Sequence, residues 1–152
     1  MKPELLESLK KLNETIVEAK AKLLAESKNV FVEAVKHLFE TYPILEIFSW
    51  NQYTPYFNDG EPCFFSVNTY SLEINKKDYV CEWELKKALD DRLHGIISND
   101  KYIELETQKA ITDDIIELLK TIGEDNLQLM FGDHAKVIVT KDSIVAEEYD
   151  HE

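Results

Sequence analysis

A chain of 152 residues, 44% hydrophobic and 31% charged, has the size and apolar content of one folded domain and not of a disordered segment. No run approaches the ~18 apolar residues of a membrane span, and a net charge of −13 opposes binding to nucleic acid or anionic membranes and favours basic partners. The start MKPELLESLKK lacks the apolar segment of a secretory signal, and Cys63 and Cys81 are the only cysteines, so the expectation is a cytoplasmic protein with reduced thiols.

Residues 1–43 read as a long helix or helical arm. Leu5, Leu9, Leu12, Ile16, Ala19 and Leu23 recur at alternating steps of four and three, the a/d seam of a 3.5-residue period. Glu7–Lys11 and Glu18–Lys22 place an acid four residues before a base, the favourable orientation on an exposed helix face. A second stripe, Phe31, Val35, Leu38 and Tyr42 with Val32 and Phe39 beside it, is expected to pack on the chain's own core. The first seam fits two environments, the chain's own sheet or a second helix. No glycine or proline interrupts Glu26-Ser27-Lys28-Asn29, where the stripes meet, so one continuous helix is expected. It would be roughly 55–60 Å long at ~1.5 Å per residue. Pro43 ends it and drives Tyr42 toward extended backbone. This segment holds seven glutamates and seven lysines, so the whole net charge of −13 lies beyond Pro43.

Residues 44–152 read as an acidic α+β domain. Alternation of period two predicts strands in ILEIFSWNQY (44–53) and CFFSVNTYSLEI (63–74), joined by a turn at Asn58-Asp59-Gly60-Glu61-Pro62. A short strand is expected in DYVCEW (78–83) and a helix over 84–97 on Leu85, Leu89 and Leu93. Thr112 is read as the cap of a further helix, with Asp113 and Asp114 in its first turn, Ile115, Leu118, Leu119 and Ile122 on its apolar face, and Gly123 at its end. Strands are expected at 127–131, 135–140 and 143–149. The fold class is α+β: a long N-terminal helix, then an antiparallel sheet with one or two packed helices.

No motif supports catalysis. Cys63 and the histidines His37, His94, His134 and His151 are scattered, without a nucleophile elbow or the paired spacing of a zinc site. Four glycines leave no phosphate-cradling loop. Glu147, Glu148, Asp150 and His151 cluster at the C-terminal end, where carboxylates are ordinarily solvated. No cofactor or metal is expected. The aromatics are the stronger signal: eleven of sixteen lie within 42–83, and Trp50 to Phe65 contains no lysine or arginine. Most belong in a core. Trp50, Gln52, Tyr53, Tyr56, Asn58 and Asp59 are the candidate binding residues, as a protein interface or as a small-ligand pocket near Tyr53–Cys63. Leu5, Leu9, Leu12, Ile16 and Leu23 are the candidate self-association seam.

The pattern W-x-Q-Y-T-P-x-F-N-D-G-x-x-C-x-F (Trp50 to Phe65), with F-G-D-H (Phe131 to His134) and E-E-Y-D-H (Glu147 to His151), resembles small uncharacterised proteins of tailed phages and some bacteria. The resemblance covers about residues 44–70 and 127–152 and implies action in a bacterial cytoplasm. It implies no activity. The expected function is non-enzymatic protein binding: a modulator or inhibitor of a host bacterial protein, homo-oligomeric through its N-terminal helix, with no direct nucleic-acid or membrane partner. The alternatives are a DNA mimic that occupies the basic groove of a nucleic-acid-binding protein, and a small-ligand-binding protein or enzyme.

Overall fold

A computed structural model describes residues 2–56 and 59–150. Helix α1 (Pro3–Thr41) leads into strands β1 (Ile47–Tyr53), β2 (Ser66–Ile74) and β3 (Lys77–Asp78). Helices α2 (Glu82–Leu93), α3 (Asn99–Ile122) and α4 (Glu124–Phe131) follow, then strands β4 (Ala135–Thr140) and β5 (Ile144–Glu148). The strands form one antiparallel sheet in the order β3-β2-β1-β4-β5.

The register places Phe48 opposite Val139 and Trp50 opposite Val137, so the apolar positions of β1 and β4 share one face. Leu72 and Ile74 of β2 join them. Onto this face pack Phe31, Val35, Leu38 and Phe39 of α1, Ile111, Ile115 and Leu119 of α3, and Leu127 and Met130 of α4. Phe31, Phe48, Trp50 and Phe131 make its centre: Phe31 meets Trp50 and Phe131 edge-on at 6.2 and 5.4 Å, and Trp50 stacks on Phe48 at 6.1 Å. The second stripe of α1 therefore packs on the chain's own core, except Val32, which was expected beside it and is exposed. The helix is continuous across Glu26–Asn29 and ends where Pro43 demands, with Tyr42 extended at φ −120°, ψ 86°. The division at Pro43 does not isolate the helix, because its last third is part of the domain's core.

Four local expectations are corrected. Thr112 caps nothing: it lies buried in the middle of α3, its hydroxyl donating to the Gln108 carbonyl at 2.8 Å. The true cap is Ser98, whose Oγ accepts from the Lys101 amide at 3.1 Å. Residues 127–131 are the end of α4, not a strand. Leu127, Met130 and Phe131 satisfy helical as well as alternating spacing, and Gly123 (φ 89°) and Gly132 (φ 87°) bracket the helix. Within 78–83 only Asp78 is in a strand, and α2 already begins at Glu82. The second helix spans Glu82–Leu93, two residues earlier at its start than expected and ending before Gly95 (φ 72°).

Strand β2 carries three more residues than β1 between the pairs Ser49–Glu73 and Asn51–Asn68. Side chains close this bulge. The Ser71 hydroxyl accepts from the Asn51 amide at 2.8 Å and donates to the Asn68 carbonyl at 2.6 Å. Tyr70 consequently points away from the body and is exposed.

Candidate protein-binding surfaces

Every residue from Lys2 to Leu23 is exposed. Leu5, Leu9, Leu12, Ile16 and Leu23 are each 44–56% exposed, the accessibility of side chains that touch only their own helix. Leu6 and Val17 widen the stripe. Packing on the chain's own sheet, one of the two environments the seam fits, is thereby removed for these residues. Their helix leaves the body after Leu24, which still touches the core cluster. The whole helix of 39 residues is about 58 Å long. Isolated helices below ~12–15 residues are marginal in water, and longer ones still rely mainly on packing. An uncovered apolar seam spanning the 19 residues from Leu5 to Leu23 is thus the clearest unmet packing requirement among the described residues.

The candidate residues of the aromatic stretch do not form one site. Trp50 and Gln52 are interior, not on an interface or pocket: both are fully buried. The Gln52 amide donates to the Leu127 carbonyl at 3.0 Å and the Gly132 carbonyl at 2.8 Å, and accepts from the Trp50 indole N–H at 3.0 Å. It ties β1 to the middle of α4 and to its C-terminal cap, and satisfies the one polar atom of the buried indole. The physical reason is strand alternation: with Phe48 facing inward, Trp50 and Gln52 must face inward too. Tyr53 is half-buried against Tyr149, ring centres 5.7 Å apart. Tyr56 is exposed and stacks on His134 at 4.7 Å, 12° from parallel. Asp59 is exposed in a turn at φ 41°, and Asn58 lies outside the described residues.

Asp133 holds this end of the sheet together, a role sequence reasoning missed. Its carboxylate accepts from the Thr54 amide at 2.7 Å, the Thr54 hydroxyl at 2.6 Å and the His134 amide at 2.8 Å. Burial opposes its ionisation, but these hydrogen bonds and the nearby imidazole outweigh burial and hold the carboxyl below its usual range. The signal was present as F-G-D-H, an aspartate directly after a positive-φ glycine. Asp133 sits beside the aromatic pair Tyr56–His134 as a structural clamp.

A groove of about 540 Å³ runs between α1 and the β4–β5 turn, lined by Val32, Val35, Phe39 and Ile144. It lies away from the Tyr53–Cys63 stretch. Cys63 and Cys81 are half-buried unpaired thiols. Among the described residues no three His, Cys, Asp or Glu side chains converge as metal ligands, and no helix is long and apolar enough to cross a membrane. On α2 and α3 lysines interrupt the acids: Lys86–Glu82 at 3.4 Å, Lys87–Asp91 at 4.0 Å, Lys101–Glu104 at 3.6 Å and Lys109–Asp113 at 2.5 Å. No family model, curated protein or solved structure matches the chain.

Proposed function

We propose that this chain is a non-enzymatic protein-binding module. Its neutral N-terminal arm mediates self-association, and its acidic body docks on a basic surface of another protein. A phage-encoded modulator of a bacterial host protein is the setting the sequence resemblance suggests. One observation carries the reading: the a/d seam of Leu5 to Leu23 is continuous, helical and uncovered. Apolar stripes of this kind are the packing surface of helix pairs. The acidic body supplies long-range attraction toward basic partners.

The DNA-mimic reading requires an unbroken carboxylate stripe, and the lysines paired along α2 and α3 speak against one on those helices. The small-ligand reading loses two of its lining residues, Trp50 and Gln52, to the core.

Size-exclusion chromatography with light scattering tests the assembly claim. The intact chain should elute with a mass above one chain's 17.7 kDa. Leu9→Glu and Ile16→Glu should return it to one chain while leaving its circular dichroism otherwise that of a folded body. A chain that is monomeric at all concentrations, with or without these substitutions, would refute it.

A further inference from the structure

We infer that the partner of the arm is a second copy of this chain, paired antiparallel about a two-fold axis at Glu14. This rests on the self-association reading above and adds orientation and register to it.

The seam reads the same in both directions. Its steps are four, three, four, three, four, from Leu5 through Leu9, Leu12, Ile16 and Ala19 to Leu23. Inverting it about residue 14 places Leu5 on the partner's Leu23, Leu9 on the partner's Ala19, and Leu12 on the partner's Ile16. In heptad terms every layer then joins an a position to a d position, and all six positions of each helix are used. A two-fold interface demands this self-complementarity, in which residue i meets j and j meets i. The same pairing sets the one small residue, Ala19, against a large one, Leu9. A parallel pair would set Ala19 against Ala19 and leave that layer thin.

Charge selects the same orientation. The arm up to Leu23 is nearly neutral, five lysines against four glutamates for a net +1, and each body from Leu24 onward carries −14. A parallel pair brings the two bodies side by side at one end. The antiparallel pair sends them to opposite ends, with the two Leu24 residues, where the bodies begin, about 30 Å apart along the axis. That is several times the Debye length of ~8 Å at physiological ionic strength, so the repulsion is screened. The helix dipoles also oppose rather than align. At the flanking positions, Lys20 meets Leu6, Lys22 meets Ser8, and Asn13 and Thr15 meet their own copies, so no like charges touch. Six layers are near the lower length limit of a coiled coil, so the dimer is reversible.

Spin-label distances test the register on the full chain. Cys63→Ser and Cys81→Ser remove the native thiols, serine being a good residue for the helix cap that Cys81 occupies. A label is then placed at Glu14→Cys or Glu26→Cys, both exposed, and light scattering is run on the same samples. The proposal predicts a short distance at residue 14, under about 25 Å, and a long one at residue 26, about 35–40 Å. Short distances at both positions would mean a parallel pair; that overturns the orientation and leaves self-association standing. Long distances at both would mean another register and equally overturn it. No dipolar coupling at either position, in samples that scatter as single chains, would overturn the pairing and the self-association reading together.

Discussion

Gln52 shows how little a polar residue type says about exposure. It sits among aromatics in a polar-looking stretch, yet it is sealed in the core by three hydrogen bonds. Its replacement leaves an indole N–H and two carbonyls short of a partner, and each buried unmet group costs about 1–3 kcal/mol. Gln52→Ala is therefore expected to destabilise the fold by about 3 kcal/mol in urea denaturation. Asp59→Asn, at an exposed turn position that asparagine tolerates, should stay within about 0.5 kcal/mol. Tyr42 offers a test in pH. Its hydroxyl donates to Asp114, and that bond, burial and the negative charges of Asp114 and Asp113 push its pKa up to about 12. The folded state holds this proton more tightly than the unfolded state does. The stabilisation is complete below pH 10 and is lost as pH rises from 10 through about 12. Tyr42→Phe should cost about 1 kcal/mol at neutral pH, and the gap between variant and parent should close across that alkaline window. A gap that does not change with pH would show that the phenol proton is not involved.

At the scale of elements, period and punctuation were legible, and ambiguity arose where runs were short. The long helix, its stop at Pro43, strands β1, β2 and β4, and the end of α3 at Gly123 follow from spacing and from Pro and Gly placement. The five-residue run Leu127–Phe131 satisfies both periods, and only its flanking glycines distinguish helix from strand. Thr112 precedes two aspartates as a cap would, but α3 starts at Asn99 with Ser98 as its cap, fourteen residues before Thr112. The candidate site was half legible. The seam could be read as a stripe, but whether it was covered depended on where α1 leaves the body, which is set by tertiary packing at Leu24 and Phe31. The two ends of α1 should consequently respond differently to truncation. Phe31→Ala removes a ring packed on Trp50 and Phe131 and should cost about 3–5 kcal/mol. Leu9→Ala should leave the stability of the dilute single chain within about 0.5 kcal/mol and weaken its self-association instead. Equilibrium unfolding at low concentration and light scattering at high concentration separate the two effects.

For the whole molecule, the separation of a neutral arm from an acidic body is the organising fact. A contact confined to the arm, with the bodies held at opposite ends, should be nearly indifferent to salt. Its dissociation constant is expected to shift by less than about threefold between 50 and 500 mM salt, since bodies about 30 Å or more apart are already screened. Binding of the body to a basic partner should weaken steeply over the same range. Sedimentation equilibrium across a salt series checks the first of these. The central claim, that the arm is a binding surface, is tested most directly by amide hydrogen exchange of residues 3–23 as a function of protein concentration. If the arm is covered by a second copy, its amides are protected at high concentration and lose protection on dilution or with Ile16→Glu, while residues 31–41 stay protected throughout. Rapid exchange of residues 3–23 at every concentration, or protection that dilution does not change, would contradict it.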